Sequence, residues 1–264
     1  MALEVFNRYE NKFLLDEATY RKIQDKLEET MEFDEHNRFG NFYTISNIYY
    51  DTKDNHLIRN SLSKPKYKEK LRIRAYGVPK DDGKVFLEIK KKVCGLVNKR
   101  RTTLKLSEAY NFVSTGIKPE LQEYMNRQVI NEIAYLLKIY DLEPKLYLAY
   151  DRKALFSKER SDLRITFDTN IRTRRYDLKL ESGDYGECLL ERNTWLMEVK
   201  TEKSVPIWLS KLLSEHKIFS TSFSKYGVEY QKMLSMNKQK QVKGEMNLCL
   251  KPYSTQPQLI PQYL

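Results

Sequence analysis

Between Lys68 and Arg74 the polar and apolar positions alternate with period two. Lys68, Lys70, Arg72 and Arg74 fall on one side, and Glu69, Leu71 and Ile73 on the other. Successive side chains of a β-strand point to opposite faces, so the segment predicts a strand with one wholly cationic face. Neighbouring cations on that face lie roughly 6–7 Å apart. At an effective dielectric of about 20, each adjacent pair repels by about 2.5 kcal/mol before salt screening. Repulsion on that scale predicts that Arg72→Ala or Arg74→Ala leaves the fold intact or more stable.

The alternation recurs along the chain. It places Arg8, Glu10 and Lys12 on one face, then Glu88, Lys90 and Lys92 in VFLEIKKK, and Lys99 and Arg101 in VNKRRTTL. Arg152 follows YLAY, Arg164 and Asp168 lie in LRITFD, and Glu198 and Lys200 lie in WLMEVK. The residues between them are mostly Leu, Ile, Val, Phe or Tyr. One such strand fits a sheet with a charged, solvated face. Several together predict a closed barrel whose charges face an internal channel. The expected fold class is α+β, mainly antiparallel β, with peripheral α-helices.

The remaining elements follow from the same patterning. A first strand is expected over Phe6 to Leu14. Asp16 then caps a helix running to about Met31, with Tyr20, Ile23 and Leu27 on one face. YTISNIYYDT reads as a strand, Leu57 to Ser61 as a short helical turn, and VPKDDGK as the hairpin between the basic strand and VFLEIKKK. Val93 to Gly95 breaks that strand before LVNKRRTTL. Glu120 to Tyr140 has helical spacing at Leu121, Tyr124, Val129, Ile133, Leu136 and Leu137. Strands resume at KLYLAYDRKAL, LRITFDTNIR and TWLMEVKT. Pro206 opens a helix carrying Trp208, Leu209, Leu212 and Leu213, and FSKYGVEYQKML enters a last one. Beyond Met236 the composition turns to Lys, Gln, Asn and Pro, so 1–236 is expected as the folded domain and 237–264 as a tail or peripheral arm.

Composition narrows the function. The chain has 264 residues, 41% of them apolar, and a formal net charge of +11. That implies an acidic partner: nucleic acid, an anionic membrane or a phosphate-rich small molecule. Aromatic residues make up 12% and would suit base stacking, but most tyrosines occupy core-like positions, so a nucleic-acid partner is not expected. Cys94, Cys188 and Cys249 are widely spaced and form no CxxC pair, so the sequence supports neither a disulfide framework nor a zinc knuckle, and a reducing cytoplasm is the simplest reading. MALEVFNRYENKF has no apolar signal core, and no run approaches ~18 apolar residues. A cytoplasmic chain without a membrane span is expected, with association to a membrane protein left open.

Nucleotide-loop, nucleophile-elbow and HExxH motifs are all absent. His36, His56 and His216 are scattered outside the predicted strands and read as surface residues. Chemistry therefore falls to Arg, Lys and carboxylates. Arg offers a planar fork of donors and Lys a mobile point charge, and both suit phosphate. Glu10, Glu88 and Glu198 would repel a polyphosphate unless Mg²⁺ or Mn²⁺ bridged them to it. An internal salt bridge is the other reading for each of the three. Glu198, with Lys200 beside it, is the stronger metal candidate. Phosphoryl transfer needs positioning and charge neutralisation rather than a protein nucleophile.

The series RYENKF, KLRIRAYG, FLEIKKK, VNKRR, YDRKALF, LRITFDT, LMEVKT and FSKYG resembles, in motif order from about Glu4 to Met236, the VTC domain. This is the catalytic domain of polyphosphate polymerases of the vacuolar transporter chaperone type, within the CYTH or triphosphate tunnel metalloenzyme superfamily. The resemblance implies a closed, eight-stranded antiparallel tunnel. It implies transfer of the ATP γ-phosphoryl group to a growing polyphosphate chain. Lys12, Arg72, Arg74, Lys90, Lys99, Arg101 and Arg152 would line the tunnel and grip phosphates, and Glu198 would hold Mn²⁺ or Mg²⁺. Ser224 and Lys225 would contact phosphate near the mouth. Arg164 is expected to face phosphate by alternation, Arg8 and Lys200 to bind phosphate as well, and Lys68 and Lys70 to sit at the rim and draw the chain in. The chain departs from the eukaryotic pattern, with neither an inositol-phosphate-sensing domain nor membrane helices, so a bacterial-type polymerase is expected. Two alternatives use the same residues: an inorganic or nucleoside triphosphatase, and a non-enzymatic polyphosphate-binding module.

Overall fold

The computed structural model of the chain describes residues 5–37 and 41–249. The elements in chain order are β1 (Val5–Asp16), α1 (Glu17–Thr30), β2 (Met31–Phe33), β3 (Tyr43–Thr52), α2 (His56–Leu62), β4 (Tyr67–Tyr76), β5 (Lys84–Val93), β6 (Leu96–Lys105) and α3 (Leu106–Thr115). They continue with α4 (Arg127–Ile139), β7 (Leu142–Ser157), β8 (Arg164–Arg174), β9 (Glu187–Cys188), β10 (Thr194–Thr201), α5 (Ile207–Glu215) and α6 (Lys225–Cys249). Eight of these strands pair antiparallel in the order β7-β3-β4-β5-β6-β1-β10-β8. The β7–β8 ladder, from Phe156 opposite Arg164 to Tyr147 opposite Arg174, joins the two ends into a ring. β2 and β9 extend β7 and β8 at the margin.

The barrel is inside out in polarity. On β4 the even row Lys68, Lys70, Arg72 and Arg74 faces the interior, while Leu71, Ile73 and Ala75 face outward. That outer face packs under α3 and α4 through Phe112, Val113, Val129, Ile130 and Ile133. A second apolar layer joins β1, β8 and β10 to α1 and α5 through Phe13, Phe167 and Met197 against Tyr20, Ile23, Leu27, Leu209 and Leu212. The main cores thus lie between the barrel and its helices, which leaves the lumen free to be polar. One part of the lumen is apolar. There Leu146, Leu148, Ile171 and Leu196 pack against Phe223, Tyr226 and Tyr230, so α6 stoppers that sector.

Local signals explain the element boundaries. The Asp16 carboxylate accepts from Thr19 N at 2.7 Å and starts α1, whose buried face is Tyr20, Ile23 and Leu27. The helix expected from Glu120 begins only at Arg127. Asn126 caps it by accepting from Val129 N at 3.1 Å, and Leu121, 47% exposed, lies outside it. Helix α3, for which the periodicity gave no expectation, has its start tied by Lys105 N donating to Glu108 and its end at Gly116, whose φ of +71° suits glycine. α6 continues past Met236 to Cys249, into the segment expected as a tail or peripheral arm, while residues 250–264 lie outside the described residues. Among the described residues, no helix is long and apolar enough to cross a membrane.

Candidate functional site

The inward rows enclose a cavity of about 870 Å³ lined by fourteen Lys or Arg side chains against four carboxylates. It brings together Glu10, Lys12, Lys70, Arg72, Arg74, Lys90, Lys99, Arg101, Arg152, Arg164, Glu198, Lys200, Ser224 and Lys225. Lys68 lines it too, donating to Ser61 O at 3.1 Å. Arg8 lies in β1 opposite Val97, and its side chain lies outside the described residues.

On the β4–β5–β6 wall, strand register sets Arg72 opposite Glu88, and Glu88 opposite Arg101. Arg72 reaches Glu88 at 2.7 Å, Lys99 reaches it at 2.7 Å, and Arg74 approaches at 3.7 Å. Arg74 also donates to Asn47 Oδ1 at 3.1 Å and to the Tyr150 hydroxyl at 3.2 Å, and Arg72 to the Tyr49 hydroxyl at 2.8 Å. Glu88 is 1% exposed. Burial pushes its carboxyl up, but Arg74, Lys99 and Arg72 outweigh burial and hold it well below the usual carboxylate range. Glu88 therefore stands apart from the other two acidic candidates as an internal counter-ion, the salt-bridge reading of the sequence. It is walled off by the cations that line the cavity.

On the β1–β10 wall, Lys12 pairs with Glu198 and Glu10 with Lys200 in the ladder. Glu198 meets Lys200 at 2.7 Å, Lys225 at 3.3 Å, Lys12 at 3.6 Å and Arg152 at 3.9 Å. Those four cations overcome burial and hold Glu198 well below its usual range. Glu10 meets Lys90 at 2.8 Å; burial opposes its ionisation, but Lys90 and Lys200 pull it down to about 2. The ammoniums bear the opposite cost. Burial first, then Lys12, Lys90, Lys68 and Arg72, lowers Lys70 to about 7. Burial, reinforced by Arg152, lowers Lys200 to about 8 against the pull of Glu198.

A third cluster centres on Asp168, which is fully buried. Arg152 grips it with two bonds of 2.6 and 2.7 Å, and Lys225 adds a third at 2.5 Å. Burial works against the Lys225 ammonium, but Asp168 and Glu198 together raise its pKa. Asp168 shares the inward parity of Arg164, which is the sequence signal for it. Its partnership with Lys225, 57 residues away, carries none. Asn47, Tyr49 and Tyr150 carry no charge and show no signal of their own. At the start of α6, Ser224 Oγ accepts from Lys70 at 3.0 Å and from Gly227 N at 3.2 Å, while Lys12 donates to Phe223 O at 2.9 Å. These bonds seat the helix terminus against the cavity.

A family model described as the VTC domain matches residues 7–234. The chain belongs to the VTC domain family. No curated protein matches this VTC domain in sequence. A solved structure similar to it is a candidate adenylate cyclase from Bacillus halodurans, 16% identical with a TM-score of 0.52, covering 84% of this chain and 96% of the other. A candidate adenylyl cyclase from Hippeastrum, described as having a dominant triphosphatase activity, is 16% identical with a TM-score of 0.47, covering 87% of this chain and 96% of the other. The likeness to the Bacillus halodurans structure shows a shared fold.

Among the described residues of this VTC domain, no three His, Cys, Asp or Glu side chains gather as a metal cage. Glu198 and Glu10, on diagonal rungs of one ladder, are hard oxygen donors in reach of the cavity. That donor set fits Mn²⁺ or Mg²⁺ bound through one or two carboxylates with phosphates supplying further oxygens.

Proposed function

We propose that this VTC domain is a polyphosphate polymerase that transfers the γ-phosphoryl group of ATP to the end of an inorganic polyphosphate chain. The observation that carries the reading is the cavity itself. It extends along the whole inward row of β4, from Lys68 to Tyr76, and holds ten more cations than carboxylates. Such a channel stabilises charge that stays on phosphate oxygens throughout the reaction. A terminal phosphate oxygen of the chain is already ionised, so no protein nucleophile is needed. It forms a bond to Pγ, the bond from Pγ to the β-bridging oxygen breaks, and ADP leaves with that electron pair.

Arg72, Arg74 and Arg152, each locked by a second partner, offer preorganised donors to the transferring group. Lys12, Lys90, Lys99, Arg101 and Lys200 bind phosphates on either side, with Lys70, Ser224 and Lys225 at the end near α6. Arg164 does so towards the other end, with Arg8 as a further candidate in β1. Glu198, with Glu10, would hold Mn²⁺ or Mg²⁺, which would neutralise developing charge on the phosphates. Residues 1–236 are taken as the catalytic unit and the remainder as an arm. A cytoplasmic setting suits ATP as donor and the exposed free thiols of Cys94 and Cys188.

The test is incubation of the protein with ATP and Mn²⁺, with products read on a polyphosphate gel beside free-phosphate release. A ladder of long chains with ADP is expected. Free phosphate without a ladder would assign a triphosphatase instead. Thermal stabilisation by polyphosphate without turnover would assign a binding module.

A further inference from the structure

The two ends of the tunnel differ in chemistry. We propose that the end built by Tyr43, Tyr76 and Phe86 receives the nucleoside of the phosphoryl donor, and that the lysine end holds the polyphosphate. The inference rests on the phosphoryl-transfer reading and gives the tunnel a direction.

The inward row of β4 ends at Tyr76, eight residues and about 26 Å from Lys68 at strand rise. There the Tyr43 and Tyr76 rings lie 5.8 Å apart, and Tyr76 meets Phe86 edge-on at 5.8 Å. The three rings form one continuous aromatic rim. The Arg101 guanidinium lies 4.7 Å over Phe86, and Arg164 lies 4.7 Å over Phe156. Tyr76 lines the cavity and is 42% exposed, so a ligand can reach its ring. Arg164 donates to Asp34 at 3.2 Å through Nη2, while its buried Nε has no acceptor among the described residues.

The opposite end has another character. Lys68 stands opposite Lys92 in the β4–β5 ladder, and Lys64 lines the opening. The Tyr226 ring, 5.9 Å from the Lys70 ammonium, is buried.

These chemistries suit different halves of the reactants. A nucleobase is flat and uncharged, and stacks on aromatic rings and guanidinium planes. Polyphosphate has no flat face and is a flexible row of charges, which mobile ammoniums follow. In-line transfer puts the leaving ADP and the attacking chain end on opposite sides of the moving phosphorus. A nucleoside at the aromatic end therefore requires the chain to enter and leave at the lysine end.

The test is equilibrium binding of the full chain to three ligands: the non-hydrolysable β,γ-imido analogue of ATP, inorganic tripolyphosphate, and long-chain polyphosphate. Tyr76→Ala is expected to weaken the analogue about tenfold and tripolyphosphate by less than about twofold, the size of one lost stacking partner. The double variant Lys68→Ala with Lys92→Ala is expected to weaken long-chain polyphosphate more than the analogue. Equal loss of analogue and tripolyphosphate in Tyr76→Ala, or no loss of either, would overturn nucleoside recognition at this end. The reverse pattern between the two variants would overturn the direction. A wild-type chain that binds none of the three ligands would overturn the phosphoryl-transfer reading itself, and the inference with it.

Discussion

Glu88 shows how one buried carboxylate changes the meaning of a row of cations. Taken alone, the β4 row predicts relief of repulsion on removing Arg72. In the barrel, Arg72 donates to Glu88 and to Tyr49, and its loss strips a buried carboxylate of a charged partner. Arg72→Ala is therefore expected to destabilise the fold by ~2 kcal/mol, the scale of a hydrogen bond to a charged group. Urea unfolding reads this directly, and a gain in stability would restore the repulsion argument. Asp168→Asn should cost more, about 3 kcal/mol, because Arg152 and Lys225 both lose the buried charge they share. Its melting temperature should fall together with turnover.

Protonation at the same scale gives a pH signature. Lys70 is lowered to about 7 and Lys200 to about 8 in the folded protein, below the unfolded value. The unfolded chain therefore binds more protons above pH 7, and these two groups make the fold more stable as pH rises from there towards their unfolded values. Bound phosphate reverses the preference by favouring the ammonium form. Binding of the non-hydrolysable ATP analogue at pH 8 should take up roughly one proton. Calorimetry in two buffers of different ionisation enthalpy measures it; proton release would contradict the assignment.

At the scale of elements, α6 decides how the tunnel ends. Its first residues carry Ser224 and Lys225 into the cavity, and Tyr226 donates to Asp51 beside α2. The close approach needs glycine at 227, where an added Cβ would lie 3.1 Å from a Leu62 methyl and 3.2 Å from Ser224 Cβ. Gly227→Ala should cost about 1 kcal/mol in stability by overpacking. Because it shifts the helix start, it should also weaken tripolyphosphate binding by more than the stability loss explains, which a binding titration on the folded variant resolves. Elements with strong periodicity were readable in advance: the basic strand, YTISNIYYDT, and the face of α1. The stretch from Leu106 to Asn126 was not, because its helix start depends on a backbone bond to Glu108 and the start of α4 depends on Asn126, whose backbone donates to Thr102 in β6.

For the whole molecule, closure turns separate charged strands into a single field. With ten more cations than carboxylates on the cavity wall, polyanion affinity should fall steeply between low salt and about 0.15 M, where screening acts over ~8 Å. A set of titrations at rising salt concentration checks it, and a flat response would move the binding surface away from this cavity. Glu198→Gln belongs here too, since it sits where four cations from β1, β7, β10 and α6 converge. It should abolish both turnover and its metal dependence, as read by phosphate transfer with and without Mn²⁺.

The sequence by itself determined which side chains share a face, because β-strand parity is a property of the local backbone. It thereby settled that the cations of at least six strands form ordered rows, and the motif order settled the family. Only the tertiary structure decided which carboxylate answers which cation. Glu88 became a counter-ion while Glu198 and Glu10 stayed at the cavity wall, and Asp168 became the anchor of two cations from distant segments. Those outcomes depend on strand register, shear and the seating of α6, which are set by contacts between residues far apart in the chain and leave no periodic trace in it.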